Sequence, residues 1–220
     1  MINFEAAQLA RKVVKEWEEN NQCSQKWVAG SVGPTNKSLS MSPTVDDPAA
    51  RNITWDELTA AYIAQMRGLL RGGVDLLLIE TVFDTLNAKA ALWAAEEAMK
   101  ECNRRVPIML SVTLTESGRT LSGQTLEAFL ASVAHAPLMS VGLNCGFGAE
   151  GMLPRLEELS AIAGCQVSVY PNAGLPNEMG EYDETPESMT QKLKTLLQKK
   201  MLNIVGGCCG TNPDFIRAIA

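Results

Sequence analysis

Histidine is nearly absent: His135 stands alone among 220 residues, which excludes any mechanism that takes two histidines from one chain. Positive charge is in deficit, with 19 Lys and Arg against 25 Asp and Glu and a formal net charge of −6. Such a surface repels phosphate, so nucleic acid and anionic membranes are not expected as partners. No apolar run approaches the roughly 18 residues of a membrane span. Met1 to Asn20 mix Glu, Lys and Arg with the apolar positions, unlike a signal peptide. The 17 glycines and 10 prolines are too few for a collagen-like chain or one disordered by its Pro and Gly content. There is no P-loop and no Cys-x-x-Cys. The expected location is cytoplasmic.

What is present is an ordinary globular composition, 46% apolar and 20% charged, with length for one large domain or two small ones. Short runs rich in Val, Ile and Leu alternate with helical patterns. The strands are expected at Trp27 to Val32, Val74 to Glu80, Pro107 to Thr113, Met139 to Asn144, Gln166 to Tyr170 and Leu202 to Val205. Helices are expected at Asn3 to Glu18, Trp55 to Arg71, Thr85 to Met99, Glu127 to Ala134, Ala149 to Ala163, Thr185 to Lys199 and Pro213 to Ile219. Thr54 with Glu57 reads as a capping box. Repeated βα units lead either to an open doubly wound sheet or to a (β/α)8 barrel. A Gly-x-Gly-x-x-Gly run at Gly146 to Gly151 has no acidic residue about 20 positions on, so it makes a poor dinucleotide site. Most polar or Gly/Cys-bearing motifs follow a strand's carboxyl end, where barrel enzymes keep their active sites. The barrel is therefore favoured, although only six strands are counted and the chain opens with a helix.

Six cysteines in a reducing compartment point away from a disulfide framework. Cys145 follows one strand, while Cys208 and Cys209 follow the last, flanked by Gly206, Gly207 and Gly210. Adjacent cysteines pair poorly with each other. Three thiolates meeting at a barrel mouth would suit zinc with an open fourth position; packed core thiols are the competing reading. Zinc with three thiolates favours a soft fourth ligand, such as a substrate thiol ionised for alkyl transfer. Glu80, closing an apolar strand, suits the ammonium of an amino-acid substrate, or alternatively a structural ion pair.

The segments Gly206 to Thr211 and Asn144-Cys145 resemble the zinc site of the homocysteine S-methyltransferase family. Glu80 to Lys89, Pro171 to Asn177, Gly33 to Asn36 and Ser117 to Gln124 look like the homocysteine-binding module of its cobalamin-dependent methionine synthase branch. The resemblance runs from Asn3 to the end. It implies a (β/α)8 TIM-barrel fold, with residues 1–220 as one partial homocysteine-binding barrel domain of about six βα units lacking the first two strands. It also implies Cys145, Cys208 and Cys209 as zinc ligands and Glu80 as the substrate contact. The family's opening Asp-Gly-Ala-Met-Gly-Thr-like strand is not in this chain, nor are the folate and cobalamin modules. The expected partners are thus homocysteine, those modules, and a second copy covering exposed barrel edges. The expected function is zinc-dependent activation of homocysteine for methylation to methionine, with methyl from methylcobalamin held elsewhere. The alternatives are a stand-alone methyltransferase using betaine or a sulfonium donor, and a non-catalytic zinc-binding fragment. A redox role for Cys208 and Cys209 ranks last.

Other residues receive plainer readings. His135 is taken as structural, and Cys23, Cys102 and Cys165 as incidental. Trp27, Trp55 and Trp93 are expected to pack between helix and strand, with Trp17 on an amphipathic stripe. Asn172 and Asn177 shape either the mouth or a rigid loop, and Arg119 meets a carboxylate or solvent.

Overall fold

The computed structural model describes residues 1–21 and 25–220, so Cys23 lies outside the described residues. In chain order the elements are α1 (Ile2–Asn21), β1 (Ala29–Val32), α2 (Trp55–Gly72), β2 (Leu76–Val82), α3 (Thr85–Glu101), β3 (Ile108–Val112), α4 (Leu126–Val133), β4 (Ser140–Gly148), α5 (Ala149–Ile162), β5 (Gln166–Asn172), α6 (Pro186–Gln198), β6 (Ile204–Val205) and α7 (Pro213–Ile219). The strands form one sheet in sequential order, β1 to β6. The pairs β1–β2, β4–β5 and β5–β6 run parallel. This is an α/β fold. No helix among the described residues is long and apolar enough to cross a membrane.

The chain divides into two compact units, residues 1–79 with 84–109 and residues 80–83 with 110–220. In the first, Thr54 and Glu57 close the capping box at the head of α2, and Gly73 ends that helix in the left-handed conformation (φ 98°). The helix buries Leu58, Tyr62, Met66, Leu69 and Leu70. α1 lies on α2 where Gly72 leaves room: a Cβ there would meet the Ala7 side chain at 2.6 Å and the Phe4 carbonyl at 2.7 Å. Arg11 ties α1 down through Asp75 and the Gly73 carbonyl. The irregular segment 33–54 is held by Asp84, the N-cap of α3. This fully buried carboxylate accepts from the Ser38 hydroxyl, the Ser40 hydroxyl (2.6 Å) and the main-chain N–H groups of Ser40 (3.0 Å) and Leu86 (2.9 Å). Burial alone would raise its pKa, but these donors outweigh it and hold the carboxyl below its ordinary value.

In the second unit, α4, α5 and α6 bury Phe129, Leu156, Leu159, Met189, Leu193 and Leu196. The β4–β5 ladder is regular from Ser140 to Asn144 and then breaks, resuming only at Gly148 opposite Asn172.

The tryptophans contradict expectation. Trp17, Trp27, Trp55 and Trp93 are 36 to 63% exposed. α3 turns a face of small residues inward (Ala88, Ala91, Ala95, Ala98), which leaves no inward place for Trp93. Trp55 opens α2 outside its buried stripe, and Trp17 carries the Lys26 ammonium 4.9 Å above its ring.

Candidate metal centre

Strand β6 is two residues long, yet its ladder continues as a set of loop contacts. The N–H of Gly206 donates to the Val169 carbonyl (2.9 Å), that of Cys208 to the Pro171 carbonyl (2.8 Å) and that of Cys209 to Asn172 Oδ1 (3.2 Å). Ala173 answers by donating to the Cys209 carbonyl at 2.9 Å. The glycines around the cysteines make room for their neighbours. A Cβ on Gly206 would strike the Tyr170 ring at 2.4 Å, and one on Gly210 the Tyr182 ring at 2.3 Å. Of the three glycines, only Gly210 also needs a positive φ, +78°.

Cys145 reaches the same place by a different device. Both Cys145 (φ 59°) and Gly146 (φ 76°) are left-handed, and together they make the irregularity that interrupts the β4–β5 ladder. Such bulges re-aim a side chain. The residue before it, Asn144, is fully buried and paired reciprocally with Thr81: the Thr81 N–H donates to Asn144 Oδ1 at 2.8 Å, and Asn144 Nδ2 to Thr81 Oγ1 at 2.7 Å. Thr81 is itself left-handed at φ 57°. Two of the strained non-glycine positions thus sit at Cys145 and beside Glu80, and interlocking hydrogen bonds hold them there.

The three sulfurs come together. Cys145 Sγ and Cys209 Sγ are 3.8 Å apart, Cys208 Sγ and Cys209 Sγ 3.9 Å, and all three lie within 4.8 Å of one another. In a tetrahedral zinc–thiolate site, ligands about 2.3 Å from the metal stand about 3.8 Å from each other. The donor set and its spacing therefore fit such an ion, and the cluster can hold a metal. Among the described residues it is the one group of three or more His, Cys, Asp or Glu so placed. In the bare protein, burial first and then the sulfurs of Cys145 and Cys209 push the Cys208 thiol up to about 12. A cation reverses that balance, because metal binding displaces thiol protons.

Glu80 stands outside the cluster, within β2, which continues two residues beyond the expected end. Its charge acts on Tyr170, whose phenol is pushed up to about 12, chiefly by burial and then by that carboxylate. Since the Tyr170 ring lies on Gly206, Glu80 connects through it to the loop that carries Cys208 and Cys209. Tyr182, which sequence reasoning passed over, faces the sulfurs: desolvation and then Cys209, Cys145 and Cys208 raise its pKa. Nothing in the spacing of Tyr182 from the cysteines signals this, because a loop brings them together. Asn172 serves the cysteine loop, whereas Asn177 caps its own turn, accepting from the N–H groups of Met179 and Glu181. Arg119 also stays local, donating to the Gly123 carbonyl at 2.9 Å. His135 is exposed after α4.

With this geometry established, comparison with known proteins is decisive. The family model for homocysteine S-methyltransferase matches residues 1–220. The chain belongs to the homocysteine S-methyltransferase family. Among solved structures, homocysteine methyltransferase MmuM from Escherichia coli in its apo form is 25% identical, with a TM-score of 0.73 over 99% of this chain and 71% of that one. Its metallated form is 24% identical, with a TM-score of 0.73 over 99% of this chain and 68% of that one. A B12-independent methionine synthase from Shewanella sp. W3-18-1 is 14% identical, with a TM-score of 0.50 over 98% of this chain and 62% of that one, a likeness of fold alone. Membership of the family makes this chain a methyltransferase-type domain consistent with homocysteine methylation.

Proposed function

We propose that this chain binds L-homocysteine and presents its sulfur, as a thiolate, for methylation to methionine. The observation that carries this reading is the gathering of the Cys145, Cys208 and Cys209 sulfurs at the spacing of a zinc–thiolate site. A zinc ion held by thiolates favours the ionised form of a further thiol, making it a nucleophile near neutral pH. Cys145, Cys208 and Cys209 would hold that ion, and the Asn144–Thr81 pair keeps the Cys145 bulge in place. The Glu80 carboxylate binds the substrate ammonium by charge-assisted hydrogen bonds. Tyr170, kept protonated by burial and by Glu80, remains a donor beside that carboxylate. The methyl group comes from methylcobalamin on a module outside these 220 residues, as the resemblance of the Glu80 to Lys89 and Pro171 to Asn177 segments suggests. The six βα units belong to a (β/α)8 barrel, with residues 1–220 acting as one homocysteine-binding domain.

A second reading, a methyltransferase that takes methyl directly from betaine or a sulfonium compound, shares the homocysteine-binding core, and the likeness to a homocysteine methyltransferase over 99% of this chain supports that shared core. Calorimetric titration of L-homocysteine into the zinc-loaded chain tests the shared core of both. One substrate per chain, lost on zinc removal, is expected, and no binding to the loaded chain overturns it. Offering methylcobalamin, betaine or a methylsulfonium compound as sole donor then separates the two.

A further inference from the structure

The segments that carry Cys145 and Cys209 meet beside the sulfur cluster at a pair of glycines. Cys145 leads into Gly148, the last residue of β4. On the other side the Ala173 N–H donates to the Cys209 carbonyl at 2.9 Å, and Gly174 follows. A Cβ on Gly148 would stand only 2.9 Å from Gly174 Cα. A third segment closes on both. Residues 173–185 form a hairpin bridged at Pro176 and Tyr182, and on its return the Glu184 N–H donates to the Ala173 carbonyl at 3.2 Å. Glu184 Oε2 would be 3.4 Å from a Cβ on Gly148, and Glu184 Cβ 3.4 Å from one on Gly174.

The Glu184 side chain is only 6% exposed, and its Oε1 accepts from Lys192 Nζ (2.8 Å) and Ser188 Oγ (2.5 Å), both on α6. That helix is itself fastened to the core by Met189, Leu193 and Leu196. Lys192 also reaches Glu150 in the first turn of α5 at 3.5 Å. The cysteine segments are less secure on their own. Cys209 is exposed, and Cys145 holds a left-handed conformation at φ 59° that costs free energy unless its surroundings enforce it.

We propose that Glu184 is a positioning residue of the metal centre: latched to α6 by Lys192 and Ser188, it fixes the Cys145 segment against the Cys209 segment through Gly148, Gly174 and Ala173. The proposal rests on the reading of Cys145, Cys208 and Cys209 as zinc ligands. A latch of this kind meets the entropy cost of gathering the sulfurs during folding, so that less is lost when the metal binds.

Glu184→Ala removes the latch, and zinc transfer from the loaded chain to a chromogenic chelator should become about ten-fold faster, the scale on which outer partners act on a metal site. Glu184→Gln keeps the shape but exchanges charge-assisted bonds for neutral ones about half as strong, so about three-fold is expected. In cobalt(II)-substituted Glu184→Ala the ligand-field bands should shift as the sulfur geometry relaxes. Asp84→Ala, which weakens the fold in the first unit, should leave release rate and spectrum at their wild-type values. If Glu184→Ala does not fold, the three-fold change in Glu184→Gln decides. If wild type retains zinc and the Glu184 variants match it in release rate and spectrum, the role of Glu184 is overturned while the metal site stands. Equal acceleration by Asp84→Ala overturns it too, because lost stability alone would then account for the release. If wild type takes up no zinc or cobalt, the metal reading fails and this inference fails with it.

Discussion

Asp84 and Cys209 both lie beyond a strand's carboxyl end and just ahead of a helix, yet their surroundings are opposite in kind. Around Asp84, in the first unit, a buried carboxylate meets two hydroxyls and two main-chain N–H groups, and its charge is stabilised where it sits. Around Cys209, in the second unit, three groups of the same kind crowd together at 3.8 and 3.9 Å. Thiols are weak donors and weak acceptors, so this crowding contributes little hydrogen-bond energy. The titration directions record the contrast: the Asp84 carboxyl is held down, whereas the Cys208 thiol is pushed up. A cluster that stabilises its own charge is architecture. One that suppresses its own charge gains from a cation, and the second unit is where chemistry is expected.

Four substitutions sharpen this contrast. Cys208→Ser should have the largest effect, taking zinc from about one per chain to under about a tenth, since one of three thiolate ligands is lost; elemental analysis of the purified chain measures it. Asp84→Ala should destabilise the fold by about 3 kcal/mol, through loss of an N-cap and orphaning of the buried Ser38 hydroxyl. Its melting temperature should fall by roughly 10 °C with zinc content unchanged. Because the folded pKa of Asp84 lies below its unfolded value, near about 4, its contribution is complete above that pH. It is lost as pH falls through the folded value, so the gap to wild type should close in acid. Glu80→Gln should weaken homocysteine binding by about 30-fold, the scale of a charge-assisted hydrogen bond, leaving zinc in place. The smallest effect is expected for Thr54→Ala, about 1 kcal/mol in a chemical denaturation curve, from loss of the α2 capping box.

Much of the fold was legible in the sequence because its signals are local. The capping box at Thr54 and Glu57 and the apolar stripe of α2 need only neighbouring residues to be read. The six strands also announce themselves as short apolar runs. What was not legible depends on contacts between distant segments. The tryptophans were expected inside, but the room their rings would need is taken by the small residues of α3 and the buried stripe of α2. The left-handed turn at Cys145 is held by Thr81, 63 positions before its neighbour Asn144. Gly206 and Gly210 leave space for the Tyr170 and Tyr182 rings, which reach the cysteine loop from other segments and so leave no local signal. The Asp84 network was hidden for a related reason: Ser38 and Ser40 reach it from an irregular segment with no periodicity to follow.

The central claim is that Cys145, Cys208 and Cys209 together bind one zinc ion that accepts a substrate thiol. X-ray absorption at the zinc edge, recorded on the loaded chain before and after L-homocysteine, tests it most directly. The account predicts three sulfur neighbours at about 2.3 Å that become four with the substrate. Fewer than three sulfurs, or a count that homocysteine leaves unchanged, would contradict it.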